Sequence, residues 1–300
     1  MTIHNPLLTQ IKYQLQRQLK IKLNESFNLI VSFVIAPLLA LLTALIFRSD
    51  AELTYNDSYA SFLFFMLISG IFFGLLSSVF EIIKDKSVIQ RERLGRISSI
   101  GYFSAKYITL ALFGLIQVVL FNVVSAWLLN IAIPVFLFNT FVMYLLLLIS
   151  IAVGLWVSAL VSTTLMASNL IPILIIPQIL LGGLIPYSGM DRLLFMGADE
   201  EASVPPIARI IPVKYAYEAV VTGNVAFSSS VEEINDKISE MVGFSESGGF
   251  MSLDAPETFW CSDSGFCSLM WSYDIIVLMF YLLTTLLLGY FTFKRRIYDA

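Results

Sequence analysis

At 300 residues with 58% hydrophobic and 13% charged residues, this chain lies well outside the composition of a water-soluble globular domain. Its net charge of −4 offers no basic excess, which argues against nucleic acid as a partner. The composition predicts a polytopic membrane protein.

Residues 1–25 predict an amphipathic helix that lies along the cytoplasmic membrane surface and connects to the first span. Asn5 and Pro6 are typical of an N-cap followed by proline at the first helical position. Apolar residues recur every three or four positions opposite a face of Gln, Lys and Arg, at Leu8, Ile11, Leu15, Leu19 and Leu23. A simple membrane anchor is the alternative interpretation.

Charge-free stretches long enough to cross a bilayer then follow along the chain. Three of them, 26–47, 58–80 and 275–293, each have the length of one helical crossing, about 20 residues. The stretch 107–190 runs for 84 residues without Asp, Glu, Lys, Arg or His, which is enough for three crossings. Turns are predicted within it at 130–134 and 162–168. The sequence therefore predicts an all-α polytopic membrane protein with six transmembrane helices.

The chain is predicted to divide into four segments. They are the connecting helix (1–25), spans one to five with a cytoplasmic helix near 82–98 (26–186), an external segment with a re-entrant element (187–273), and span six with a basic tail (274–300). The external segment is expected to form a cap. It holds both cysteines, Cys261 and Cys267, which would close a small disulfide loop on an oxidising face; two free thiols are the alternative.

Basic residues indicate the orientation in the membrane. Thirteen of the 18 Lys and Arg residues precede span one, lie between spans two and three, or follow span six. Because cytoplasmic loops hold the positive charge, both termini are predicted to be cytoplasmic. The protein is expected in the plasma membrane. Acidic residues show the opposite bias, with 14 of 22 between Asp191 and Asp274. The charge is therefore polarised across the membrane.

Motifs for catalysis are absent from the sequence. None of the 16 glycines is followed by lysine, so the chain has no Gly-Lys-Ser/Thr phosphate loop and is not expected to hydrolyse ATP. The acidic pair Glu200-Glu201 has no histidine near it, and the only histidine, His4, lies on the other predicted side, so no metal site is expected. Charge-free spans also argue against ion-coupled transport.

The cytoplasmic stretch 81–106 resembles the coupling region of type-2 ABC export permeases of the G subfamily. The resemblance rests on the Glu-Arg pair, Gly, Ser, Tyr-Phe and Lys that lead into the third span, at Glu92-Arg93, Gly95, Ser98, Tyr102-Phe103 and Lys106. Ile97 stands where the family has a tyrosine. A second match covers Ser168-Asn169, Gly182-Gly183 and a Pro-x-x-Tyr-x-x-Glu-Ala element from Pro212 to Ala219. Gly223-Asn224 departs from the family's Asn-Glu pair.

The resemblance implies roles for individual residues. Contact with the ATPase falls to Arg91, Glu92, Arg93 and Leu94, with a solvated basic loop as the alternative. A substrate cavity between spans two and five of a homodimer is implied for Phe72, Phe73, Asn169, Ile176 and Gln178, although aromatic residues in spans also serve packing or lipid contact. Leu184 and Ile185 match an apolar gate, with an ordinary helix end as the alternative. Glu218 matches a polar relay in the re-entrant element, with a surface ion pair to Lys214 as the alternative.

The function implied is that of an ABC exporter permease, which moves a hydrophobic or amphipathic small molecule or lipid outward by ATP-driven alternating access. It would dimerise, lie in membrane lipid, and bind no cofactor itself, because ATP and Mg²⁺ belong on a partner ATP-binding cassette subunit or domain. The alternative is a non-transporting receptor or anchor whose extracellular loop binds a ligand; an intramembrane enzyme is a weaker third.

Overall fold

A computed structural model describes residues 6–47, 57–94, 98–184, 207–228 and 270–298, and the regular structure in these ranges is entirely helical. Nine α-helices follow one another along the described chain: α1 (Pro6–Asn24), α2 (Ser26–Ile46), α3 (Asp57–Ser78), α4 (Glu81–Leu94), α5 (Ser99–Leu129), α6 (Ile133–Leu160), α7 (Thr164–Leu181), α8 (Pro212–Ser228) and α9 (Met270–Phe293). A 3₁₀ turn, Ala208–Ile210, precedes α8, and a π-helical turn, Lys294–Tyr298, follows α9.

Six of these helices, α2, α3, α5, α6, α7 and α9, are long and apolar enough to cross a membrane. The fold class predicted from the sequence, all-α with six spans, is therefore confirmed. The division of the long charge-free run has a local cause at each turn. Asn130 ends α5 in the left-handed conformation at φ 51°, and the Thr163 side chain caps α7 by accepting a hydrogen bond from Met166 N at 3.3 Å.

The third crossing begins earlier than its charge-free stretch. Helix α5 starts at Ser99, where the Ser98 side chain accepts a hydrogen bond from Gly101 N. Lys106 consequently lies inside a helix that continues as a span, and it is only 5% exposed. A lysine so placed requires ionic partners.

Helices α3 and α6 pack closely at the centre of the bundle. Small residues make the approach possible: Gly74 lies against Ser150, and Gly154 lies against Ser78. Between helices in lipid, where apolar side chains gain nothing by leaving solvent, such close backbone contact is a main source of association.

The bundle has two distinct ends. We call the end that carries α1, α4 and Lys294–Tyr298 the basic end, because most described Lys and Arg residues lie there. The opposite end carries α8, which packs against α6 and α9. Within the predicted external segment, residues 187–206, with Glu200-Glu201, and 229–269 lie outside the described residues.

Helix α1 packs against α5, and its most buried side chains are polar. Gln14 and Gln18 are the buried side chains, at 8% and 2% exposed, whereas Tyr13 and Leu23 of the same helix are 76% and 59% exposed. Polar side chains thus face the protein and several apolar ones face outward. That arrangement suits a helix whose outer side contacts lipid, although its interfacial position stays a prediction.

Replacement of Gly74 by alanine is expected to destabilise the bundle. The added Cβ would lie 2.7 Å from Ser150 Cβ and 2.8 Å from the Leu147 carbonyl oxygen, so the α3–α6 backbones must separate. Overpacking of this kind costs about 1–3 kcal/mol. Thermal unfolding of the purified protein in detergent should show a lower midpoint for Gly74→Ala.

The matched control is Gly101→Ala, because the nearest heavy atom to its new Cβ is 3.7 Å away. Equal midpoints for the two variants would contradict the close packing of α3 on α6.

Candidate functional site: an ionic cluster at the basic end

A group of polar and charged side chains is buried where α1, α4 and α5 meet. We call this group the ionic cluster, and its members are Gln18, Lys22, Glu81, Asp85, Tyr102 and Lys106. Glu81 is 7% exposed and Lys106 is 5% exposed, so both charges are largely withdrawn from solvent. Buried charges persist only when they are paired and hydrogen-bonded.

Lys106 of α5 supplies the central positive charge. Its Nζ lies 2.8 Å from Glu81 Oε2 and 2.5 Å from Asp85 Oδ2, and it donates to Gln18 Oε1 at 3.4 Å. An ammonium has three donor positions, and these three acceptors match them in number. One side chain therefore joins α5 to both α4 and α1.

Glu81 extends the cluster to a second cation. Its other oxygen, Oε1, accepts a hydrogen bond from Lys22 Nζ of α1, so the carboxylate bridges Lys22 and Lys106. Arg17 of α1 adds a further attractive positive charge near Asp85. The two carboxylates of α4 are thus held between basic side chains from two other helices.

Tyr102 connects the ionic cluster to the last span. Its hydroxyl donates to Asp85 Oδ2 at 2.6 Å, and its ring stacks on Phe293 of α9 with a centroid distance of 5.8 Å and an interplanar angle of 8°. Next to it, the Ser99 and Tyr290 hydroxyls are 3.3 Å apart. The start of α5 is therefore fixed to the end of α9.

The first turn of α4 is fixed separately by α6. Ser158 Oγ accepts hydrogen bonds from Ile82 N at 3.0 Å and from Ile83 N at 3.2 Å. The first amide groups of a helix have no partners within it, so Ser158 does the work of an N-cap from a neighbouring helix. Because only Val79 and Phe80 separate α3 from α4, the start of α4 has little freedom to move relative to the spans.

The residues predicted to contact an ATPase lie beyond the ionic cluster, in the last turn of α4. Arg91 is exposed, and its Nε donates to the Ser87 carbonyl at 3.4 Å. The backbones of Glu92, Arg93 and Leu94 complete the helix, while their side chains lie outside the described part of the structure. Their coupling role stays a prediction.

The predicted cavity residues fall into two groups. On α3, Phe73 is 2% exposed and packs edge-on against Phe121 of α5, with centroids 6.3 Å apart, and Phe72 is half-buried. Phe73 thus lies within the protomer, not on an open face. On α7, Asn169 and Ile176 are exposed, as a surface facing a second subunit would be.

Gln178 of α7 is half-buried, and its side-chain oxygen is buried without a hydrogen-bond partner among the described residues. Helices α3 and α7 are in contact, so these two sets of predicted residues belong to adjacent helices. Whether they line a substrate path stays a prediction.

The predicted gate is described in part. Gly183 has φ 98°, a conformation that favours glycine, and Leu184 is half-buried against the core. Ile185 lies outside the described residues, as do Cys261 and Cys267. Gate and disulfide therefore stay predictions.

Glu218 lies in a buried environment at the opposite end. Its Oε2 is 3.7 Å from Lys214 Nζ, and their side chains are 8% and 5% exposed, so the alternative of a surface ion pair is wrong. Asp274 of α9 is 3% exposed and interacts electrostatically with both. Two carboxylates and one ammonium thus lie together between α8 and α9, which suits the predicted relay without testing it.

Asn224, which with Gly223 replaces the family's Asn-Glu pair, has a clear structural role. It is 1% exposed, accepts a hydrogen bond from the Tyr59 hydroxyl at 2.9 Å and donates to Asn139 Oδ1 at 2.6 Å. These bonds join α8 to α3 and α6. Gly223 beside it allows the Phe138 ring to approach the α8 backbone.

The sequence resemblance included Tyr102 and Lys106 but gave no role to Glu81 or Asp85. A signal for the pair exists, since residues four apart on a helix lie on one face. Lys106, which precedes a long apolar run within the same helix, also signals a need for acidic partners. Which carboxylates those are depends on how the helices pack.

Comparison with protein families agrees with this architecture. The family model described as ABC-2 type transporter matches residues 9–224, which extend from α1 into α8 and include the whole ionic cluster. The chain belongs to this family. It is therefore a transmembrane permease component of an ABC transporter, and the matched domain is not itself catalytic. Among curated proteins, none matches the sequence.

Loss of the central ammonium should destabilise the basic end more than loss of an exposed one. Lys106→Met leaves Glu81 and Asp85 short of a partner, and removal of one member of a buried ion pair costs about 3–5 kcal/mol. Lys86→Met removes an exposed lysine from the same region and should have little effect. Thermal unfolding in detergent measures both.

A double variant distinguishes pairing from a general effect of the methionine. Glu81→Gln combined with Lys106→Met should recover part of the lost stability, because the unpaired charge is removed with its partner. Strictly additive losses would show that Glu81 and Lys106 do not interact.

Proposed function

We propose that this chain is the permease subunit of an ABC exporter, which moves a hydrophobic or amphipathic molecule outward with energy from ATP. Members of its family normally pair with an ATP-binding cassette subunit. ATP and Mg²⁺ bind to that subunit, or to a fused domain, and not to this chain, whose sequence has no phosphate-binding loop. The coupled partner supplies the energy that the neutral spans do not.

The observation that supports this proposal is the attachment of α4 to the spans. Ser158 fixes its first turn to α6, and Glu81 and Asp85 fix its next turns to α5 and α1. A helix held in this way transmits a displacement of its free end to three neighbours. A solvated loop, the alternative considered from the sequence, would have no such contacts.

The free end of α4 is the proposed contact for the ATPase. Arg91 is exposed there, and Glu92 and Arg93 follow it in the sequence, which gives a small surface of mixed charge. Charged side chains across an interface fix partner choice and orientation. This assignment requires the basic end to be cytoplasmic, as the distribution of Lys and Arg predicts for a plasma-membrane protein.

A second copy of the chain is proposed to complete the substrate path. Helix α7 buries only 11% of its residues within the described protomer. On α7, the exposed set includes Met166, Ile173 and Ile176, next to the half-buried Gln178. A largely apolar wall with the amides of Asn169 and Gln178 suits a lipid or a hydrophobic small molecule. In a homodimer, this face would line the cavity together with α3.

Reversal of the charge at Arg91 is expected to uncouple this chain from its ATP-binding subunit. Arg91→Glu reverses an exposed charge without disturbing a buried contact, so folding should be unaffected while stimulation of the ATPase falls several-fold. The assay is ATP hydrolysis by the cognate ATP-binding subunit reconstituted with this chain in liposomes. Lys86→Glu, an equal reversal on the exposed part of the same helix, serves as control.

Two results would contradict the coupling assignment. One is stimulation of the ATPase that stays at the wild-type level in both Arg91→Glu and Glu92→Gln, which would favour a receptor or anchor. The other is labelling of cysteines introduced at Arg91 from the same membrane face as Cys261.

Cross-linking tests the proposed dimer. A cysteine introduced at Ile176, which is 52% exposed on α7, is expected to form a disulfide with its copy in native membranes after mild oxidation. The background should have Cys261 and Cys267 replaced by serine. A cysteine at Phe291, 62% exposed on α9, is the control for random collision. Equal cross-linking at both positions would contradict α7 as the face nearest the second copy.

A further inference from the structure

A cavity of about 270 Å³ lies inside one protomer, at the basic end, between α2, α3 and α5. It is separate from the face of α7 that we assign to the substrate path. Binding pockets for whole small molecules usually measure about 300–1,000 Å³. The cavity is therefore suited to part of a longer molecule.

The wall of the cavity divides into an apolar part and a charged part. Leu76, Phe80, Leu110 and Phe113 contribute apolar surface from α3, α5 and the turn after α3. Phe113 also contacts Phe33 of α2, with ring centroids 6.1 Å apart, which closes one side. The charged part is formed by residues that precede α2 or belong to α4, namely Lys22, Glu25, Glu81 and Lys84.

The charged part contains one ammonium and one carboxylate that are not engaged in an ion pair with any described residue. Lys84 and Glu25 are both exposed, and in the described ranges neither forms an ion pair. Lys22 and Glu81, by contrast, are bonded to each other within the ionic cluster. The mouth of the cavity thus offers one free charge of each sign to a ligand.

A phospholipid, with a charged headgroup next to apolar acyl chains, matches a cavity with a charged mouth and an apolar wall. The cavity is located where charged residues give way to the apolar spans, the depth at which a lipid headgroup meets its acyl chains. Helix α2, which forms one wall, buries only 17% of its residues in the protomer, so most of its surface is open to contact with lipid. A phosphate would pair with Lys84, an ammonium with Glu25, and an acyl chain would lie along Leu76 and Phe113.

We propose that this cavity binds one phospholipid with an amine-bearing headgroup, phosphate on Lys84, ammonium on Glu25 and an acyl chain between α2, α3 and α5. The site does not depend on transport. Because Lys22 and Glu81 form part of its wall, the bound lipid contacts the ionic cluster directly. The lipid at this position thereby adds to the contacts that hold α1 and α4 to the spans.

The test is native mass spectrometry of the purified protein, released from detergent after incubation with equal amounts of phosphatidylethanolamine and phosphatidylglycerol. The wild-type protein should retain a phosphatidylethanolamine adduct in preference to phosphatidylglycerol. Lys84→Ala and Glu25→Gln should each reduce that retained adduct several-fold. Lys86→Ala removes an exposed lysine of the same helix that does not line the cavity, and should leave retention unchanged.

A variant that fills the cavity tests the acyl-chain position. Ser77 lines the cavity, and its hydroxyl bonds only to the Gly74 carbonyl of its own helix, so Ser77→Phe occupies the space without removing a contact between helices. It should abolish the retained adduct. Thr284→Phe on α9, whose hydroxyl also bonds only within its helix, is the control for added bulk.

Three results would overturn the proposal: undiminished retention in Lys84→Ala, undiminished retention in Ser77→Phe, or equal retention of the two lipids by the wild-type protein. Lys84 and Glu25 are exposed and without ion-pair partners in the described chain, so their variants are expected to fold. A size-exclusion profile equal to that of the wild-type protein verifies this before each measurement.

Discussion

The pairing of Lys106 with Glu81 and Asp85 is the constraint on which the basic end of this protein depends. An ammonium that is 5% exposed at the edge of a span cannot remain charged without partners close by, and among the described helices α4 and α1 supply them. The charge therefore fixes where two helices outside the spans must lie. In a fold whose other contacts are mostly apolar, this cluster gives the interface its direction and register.

Two kinds of contact stabilise the bundle, close backbone packing at its centre and polar networks at its ends. Between α3 and α6, small residues such as Gly74 and Gly154 allow close backbone approach, and dispersion supplies the attraction. At the two ends, polar networks take over, with Lys106 at one end and Tyr59, Asn139 and Asn224 at the other. Each hydrogen bond in these networks restricts the arrangement of the helices, since a shift that breaks it leaves a buried polar group unpaired.

The sequence predicted the spans well because their signal is local. A charge-free stretch and its flanking residues are sufficient to find a crossing, and Asn130 and Thr163 mark the turns by their own conformational preferences. The amphipathic pattern of α1 predicts an interfacial helix, but it does not say which side chains pack against the spans. In lipid, an apolar side chain needs no burial, while Gln14 and Gln18 do, so the polar face turns inward.

Long-range pairing explains why the ionic cluster was missed. Glu81 and Lys22 are far apart in the sequence, and nothing local distinguishes Glu81 from a solvated carboxylate of a basic loop. The pattern shows that Lys106 needs a partner, but packing decides which. The same holds for Glu218, whose burial beside Asp274 depends on the contact of α8 with α9.

The distribution of these contacts also limits which parts move in the proposed transport cycle. Separation of α4 from α5 would strand Glu81 and Asp85 away from Lys106, at a cost of about 3–5 kcal/mol for a broken buried pair. Helices α1, α4 and α5 therefore move as one body. Helix α7 has no ionic contact in the described chain and packs mainly against α3 and α8, so it is held less firmly than α1, α4 and α5. Under the proposed function, a displacement of α4 would reach α7 through α3, which contacts both helices.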